Sequence, residues 1–419
     1  MINRSIAPKT TPITHIEIAK PTVEWSASKV PFYIIDNIPE DIIKITFTFA
    51  AGKMHQDTLL QASFTTDLIL SGTDSKSQTE IQEAIDFYGG YVQCEMGMEQ
   101  SSITIYGLSK NISTIYDIVM DAILNATYPE KEFEQHRTIE RQKYLVSLEK
   151  NAVRARKHFI SSLLANTPFA SSASVTDFDL ITPAHCLQFY KTHFLNGLID
   201  VNCIGNIPDE LIIKMKHDLD CWKNNHSTFL NATPQSEIGL FHEEKEGALQ
   251  TAIRIGKIMF TPEHDDYMEF DVVNTILGGY FGSRLMSNIR EDKGYTYGIG
   301  SGVVSMKSLG YFYISTEVGV EFKTDTIREI QHEISRLHHE LVGEDELDIV
   351  RNYMIGQLLK STDGPFAMMN QFLFLNNYNL PQNYFDTYIR KIQTISPARI
   401  QELAKNYLNW DSFRIITVG

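Results

Sequence analysis

The chain repeats itself. An alternating segment, Ile42 to Phe49, leads to a helical stretch from Leu59 to Leu70, then Gly89-Gly90, then a strand pattern through Ile103 to Tyr106. The second half answers in the same order: strand-like Thr251 to Ile255, helix-like Tyr267 to Leu277, Gly278-Gly279, then strands through Gly298 to Val303 and Gly310 to Ser315. A long-period repeat dictates architecture, because each copy presents the same apolar face and must bury it the same way.

The match continues beyond the strands. Helical couples follow in each half, Ile112 to Asn125 then Glu130 to Lys150, and Thr324 to Leu341 then Glu344 to Lys360. Both second helices open with acidic residues (Glu130, Glu132; Glu344, Asp345, Glu346), which suit a positive helix N-terminus. Each half closes on a helix and a strand, Ala184 to Phe194 with Leu198 to Ile204, and Pro397 to Leu408 with Phe413 to Val418. This order predicts an α+β chain of two homologous halves, each a mostly antiparallel sheet with helices on one face, the halves facing across a cleft. The join falls in the polar stretch His226 to Ser236, which divides the chain into 1–228 and 229–419.

Composition narrows the function. Hydrophobic residues are 43% of the 419, and no segment approaches the roughly 18 unbroken apolar residues of a membrane span. Lys+Arg 37 against Asp+Glu 52 gives −15, which disfavours nucleic acid and anionic lipid as partners. Met1 to Pro12 shows no apolar core or cleavage site of a secretory signal, so the cytoplasm is the expected compartment. Cys94, Cys186, Cys203 and Cys221 form no C-x-x-C pair and read as reduced core thiols.

Thirteen histidines invite a search for metal ligands, yet neither H-x-x-E-H nor H-E-x-x-H occurs. The nearest candidates, His338-His339-Glu340 and the pair His136/Glu140, read as solvated helix faces. No G-x-S-x-G elbow is present. Gly298-Ile-Gly300-Ser-Gly302 sits within strand-like residues with no helix after it, so it marks close backbone approach rather than a dinucleotide site. The sharpest constellation is Gly278 to Leu285 running into Asn288 to Tyr297. Arg290 on a helix end and Tyr297 on the strand beyond Gly294 can converge on a peptide carbonyl, the guanidinium orienting it and the phenol donating to a developing oxyanion. The alternative is that Arg290 pairs with Glu291 or a neighbour and Tyr297 packs in the sheet. Tyr295, two residues earlier on the strand, is expected on the same face as Tyr297.

These residues resemble the C-terminal half of the pitrilysin/insulinase-type zinc peptidases, the family that includes mitochondrial processing peptidase. The matching strings are Leu277-Gly278-Gly279, Ser283-Arg284-Leu285 and Arg290-Glu291 with Gly294 and Tyr297, supported by Ser71-Gly72-Thr73, Gly89-Gly90, Phe189 to Phe194 and Ile204-Gly205-Asn206. Active members carry H-x-x-E-H just before the Gly-Thr that is here Gly72-Thr73. The resemblance therefore places Ser63, Thr66 and Asp67 where two histidines and the catalytic glutamate would stand. The third ligand, a later glutamate, falls near Lys143, with Glu140 one turn away.

The resemblance implies a zinc site lost in the first half and an Arg/Tyr motif kept in the second. Some bacterial members work as pairs in which one subunit holds zinc and the other supplies Arg and Tyr, and this chain resembles the second kind. It implies no cofactor in this chain, zinc in a homologous partner subunit, and a peptide substrate. The competing expectation is a structural or peptide-binding scaffold with no part in chemistry.

Overall fold

The computed structural model describes residues 13–36, 38–222 and 233–419. The first half runs β1 (Thr22–Trp25), β2 (Pro31–Ile35), β3 (Ile43–Phe49), α1 (Gln61–Asp67), α2 (Gln78–Phe87), β4 (Tyr91–Met96), β5 (Ser101–Gly107), α3 (Ile112–Leu124), α4 (Glu130–Leu148) and α5 (Asn151–Leu163). It continues with α6 (Asp177–Leu180), α7 (Pro183–Phe189), β6 (Leu198–Ile204) and α8 (Asp209–Asp218). The second half runs β7 (Gly239–Glu243), β8 (Gln250–Met259), α9 (Tyr267–Asn274), β9 (Thr296–Ser305), β10 (Gly310–Gly319), α10 (Lys323–His339) and α11 (Glu344–Ser361). It closes with α12 (Gly364–Asn377), α13 (Tyr384–Thr394), α14 (Pro397–Tyr407) and β11 (Arg414–Val418).

Strand alternation builds both cores. On β3, Ile43, Ile45, Phe47 and Phe49 are fully buried while the residues between them are half-buried. The sheets have the orders β1-β2-β6-β3-β5-β4 and β7-β11-β8-β10-β9. Each is antiparallel apart from one parallel pair, β2 with β6 and β7 with β11. The second order superposes on the first without β1, so the repeat read from the sequence is a repeat of topology.

Each half's own helices cover one face of its sheet. The opposite face receives a helix from the other half. Ala155, Phe159 and Leu163 of α5 pack with Ala252, Ile416 and Val418 of the second sheet. Met369 of α12 packs with Tyr33, Ile35 and Ile204 of the first, and Phe372 meets Tyr33 edge-on at 4.9 Å. The exchange is symmetric, because α5 follows α4 as α12 follows α11. Gly256 on β8 makes room for α5, since a Cβ there would lie 2.7 Å from the Phe159 ring and 2.1 Å from the Phe312 carbonyl. At the start of the described chain His15 Nδ1 lies 2.9 Å from Asp386 on α13, fastening this segment to the second half.

The expected join at His226 to Ser236, and with it the division at 228/229, lies largely outside the described residues. Cys186 and Cys203 are buried and Cys94 is half-buried, and burial pushes each of these thiols up to about 12. No helix among the described residues is long and apolar enough to cross a membrane.

Candidate functional site

Arg290 and Tyr297 are positioned by a chain of tight local contacts. α9 runs into a π-helical turn, Thr275–Gly279, that lies directly on β9. Gly278 permits this, because a Cβ there would come within 2.8 Å of the Ser301 backbone nitrogen. Ser301 Oγ donates to Asn274 Oδ1 at 2.7 Å and locks the approach. Arg284 makes a two-pronged bond to Glu346 on α11, both at 2.8 Å, with its side chain only 8% exposed. A second π-helical turn, Met286–Asp292, carries Arg290 and ends where Gly294 adopts φ +66°.

The strand that follows is irregular where it matters. Thr296 pairs with Val318 and Ile299 with Thr316, so three steps on β9 span two on β10. This β-bulge holds one extra residue at Tyr297-Gly298. The Thr296 hydroxyl fixes it, accepting from the Gly298 N–H at 3.1 Å and the Thr316 hydroxyl at 2.9 Å while donating to the Glu317 carbonyl at 2.7 Å. Tyr297 is thrown outward and is 92% exposed. The Arg290 guanidinium carbon lies 5.5 Å from the Tyr297 ring centroid and 4.6 Å from that of Phe281.

The two residues therefore converge as their spacing predicts. Among the described residues no carboxylate holds Arg290, and Tyr297 does not pack into the sheet. Ring stacking leaves the guanidinium donors free to face a ligand. Tyr295 departs from expectation: it precedes the strand and stacks on Phe322 at 4.5 Å, so it does not share the face of Tyr297. Phe281 went unread in the sequence, although an exposed aromatic beside Gly279 and Gly282 was a usable signal.

In the first half the structure brings α1 and α4 together where the resemblance expects zinc. Ser63 Oγ donates to the Leu60 carbonyl at 3.0 Å, and buried Thr66 donates to that of Ala62 at 2.8 Å. Asp67 lies 3.4 Å from His136 on α4. Lys143 donates to Glu140 at 2.6 Å; this bond, then the Glu140 charge, with Asp67 adding, raise its pKa. His136 also meets the edge of the Phe64 ring at 4.8 Å and is mostly buried, which corrects its reading as part of a solvated face. Two hydroxyls already bonded to their own helix, one carboxylate and an ammonium do not suit catalytic zinc, which wants three N, S or O⁻ ligands. Among the described residues no group of three or more His, Cys, Asp or Glu could hold a metal ion. His338 bonds the Ala404 carbonyl at 3.0 Å, apart from His339.

A cleft of about 390 Å³ opens beside Tyr297, lined by Ala152 and Ala155 of α5 together with Arg254, Gly298, Ser315 and Glu317 of the second sheet. It is thus shared between the halves. Arg254 was not anticipated from the sequence.

Known proteins resemble this chain in sequence and in fold. Residues 33–177 match the family model described as Insulinase (Peptidase family M16), and 181–354 match that described as Peptidase M16 inactive domain. The chain is 22% identical over 389 residues to the uncharacterized zinc protease YmxG of Bacillus subtilis, covering 88% of this chain and 91% of that one. It is 23% identical to an uncharacterized zinc protease of Rickettsia felis, covering 77% and 79%. Among solved structures, a peptidase M16 inactive domain from Pseudomonas fluorescens superposes with a TM-score of 0.85 at 19% identity over 95% of this chain and 98% of that one. A protease from Helicobacter pylori does so at 0.80 and 13% identity, over 96% and 100%.

Proposed function

Because the chain belongs to the insulinase family of peptidases, M16, and its residues 181–354 match the family's inactive-domain model, we propose that it is the non-catalytic partner subunit of a two-subunit zinc peptidase. One observation carries this reading: Arg290 is held between Phe281 and Tyr297 beside a cleft, with no carboxylate among the described residues to occupy it, while the first-half positions carry no usable ligand set. Zinc would be held by a homologous subunit with an intact H-x-x-E-H. This chain would supply two groups to the bound peptide. Arg290 donates to a substrate carbonyl and fixes its orientation. Tyr297, on the bulge, donates its phenolic proton in a hydrogen bond to the oxygen that gains charge as the carbonyl becomes tetrahedral. Having a single phenol on an exposed bulge suits a group that must reach toward another chain.

The test is reconstitution with the zinc-bearing subunit. Arg290→Ala and Tyr297→Phe should each lower kcat by about a hundred- to thousandfold, the usual cost of one lost oxyanion donor, while the two subunits still co-purify. A Tyr297→Phe rate within about threefold of the parent, under roughly 0.7 kcal/mol, would instead make the chain a scaffold.

A further inference from the structure

Most arginines among the described residues are held by a carboxylate, Arg284 and Arg399 among them. Arg156, Arg254, Arg290 and Arg390 are not; of these Arg254 lines the cleft, Arg290 lies against Tyr297 at its edge, and Arg156 on α5 is close enough for its charge to act on Arg254. Arg254 is half-buried on β8, its guanidinium carbon 5.3 Å from the Tyr313 ring centroid and 6.0 Å from that of Phe159. Burial and the charge of Arg156 on α5 draw its pKa down, and the same two causes draw down that of Lys53. Lys53 is held by the carbonyls of Phe169 and Ser171, not by an acid. The acid in the cleft lining, Glu317, stands opposite Ala252 rather than Arg254 and makes no ion pair with it. The result is a group of cations that no acid among the described residues pairs, in a chain of net charge −15.

The floor beside them is bare. No atom lies within 4 Å of where a Cβ on Gly298 would sit, and its φ is not positive. The bulge tolerates glycine there without crowding or a positive φ demanding it, and the open space is what an incoming backbone would use.

We propose that this cleft binds an extended peptide by a carboxylate, which Arg254 grips with Arg156 and Lys53 as supporting charges. The inference rests on the peptide-binding reading above and adds the substrate class. Half-buried Arg254 and Lys53, each repelled by the exposed Arg156, are costly to hold apart from an anion, and an arriving carboxylate supplies both charge and acceptors for the guanidinium fork. The carboxylate can come from an acidic side chain or from the peptide's C-terminus.

Dye-labelled decapeptides titrated into the full chain, read by fluorescence anisotropy, separate these cases. Four are needed: a central Glu with an amidated end, a central Gln with a free end, a central Gln with an amidated end, and a central Lys with an amidated end. At least one carboxylate-bearing peptide should bind about tenfold tighter than the neutral one, as expected for a hydrogen-bonded charge. Which of the first two prevails identifies the source. The preference should vanish in Arg254→Gln and survive in part in Arg254→Lys. Arg156→Gln, at an exposed position that leaves the packing alone, should weaken it about threefold, since it removes only a supporting charge. Equal binding of all four, or tightest binding of the Lys peptide, overturns the carboxylate inference and leaves the partner-subunit reading standing. Failure of every peptide to bind overturns both.

Discussion

Tyr295 and Tyr297 lie two residues apart and meet opposite fates, which shows where residue-scale reading stops. The spacing of Arg290 and Tyr297 around Gly294 was enough to foresee their convergence. The alternation rule was not enough for Tyr295, because it applies only inside a regular strand, and here the strand starts at Thr296 and then carries an extra residue. A bulge has no marker in one sequence beyond the glycine that tolerates it. Arg254 escaped notice for a related reason: its value comes from Arg156 and Phe159, which are far away in the chain. A buried acid gives a residue-scale prediction. Asp200 on β6 accepts from Asn202 Nδ2 at 2.9 Å, yet burial pushes its carboxyl up from 3.8 to about 6. Between those values the folded chain keeps a proton that the unfolded chain releases, so Asp200 costs stability as pH rises through about 6. Asp200→Asn should therefore melt higher than the parent at pH 8, by the equivalent of about 2 to 3 kcal/mol, and near parity at pH 4. Thermal melts at both values check this; a variant less stable at pH 8 than at pH 4, relative to the parent, would contradict the sign.

At the scale of elements, much of the fold was legible. β6 was read to the residue, and α3, α4, α10, α11 and α14 to within a residue or two, because caps, acidic first turns and apolar periodicity are local signals. α5 and α12 went unassigned. Ala155, Phe159 and Leu163 do recur at helical spacing, but periodicity reports only that a face is buried, never which sheet buries it. The zinc-motif positions were legible only as replacements; the contact of His136 with Asp67 and Phe64 needed α4 laid on α1. The exchange makes a test that neither half alone could offer. Phe159→Ala should destabilise by about 3 to 5 kcal/mol, the usual cost of a vacated aromatic site, with the fastest new deuterium exchange in β8 and β11 of the other half. Faster exchange confined to α4 and α5 would mean that α5 is not a structural part of the second sheet.

The whole molecule carries a net charge of −15, yet the cleft between its halves holds an arginine with no ion pair among the described residues, so the overall charge does not describe the cleft. Its two halves are also joined by more than the connecting residues. Met54 and Phe169 share a buried cluster with Met306 and Leu309, and both Glu99 carboxylate oxygens accept from the Lys307 N–H at 3.0 Å. A specific protease site placed between residues 223 and 232, then cut, should leave two fragments that co-elute on size exclusion and melt in one transition close to that of the uncut chain. Separation without denaturant would show that the covalent link is needed. The reciprocal places of α5 and α12 give this a further meaning. Two copies of one unit that lend each other the same helix form a swapped dimer, and here that dimer is written on one chain. Such an arrangement is interlocked rather than docked, so the halves cannot part like a hinged shell without peeling a helix from a sheet. Any widening of the cleft between the halves must then come from small sliding of the lent helices over their hosts, and the close fit of Phe159 over Gly256 opposes it.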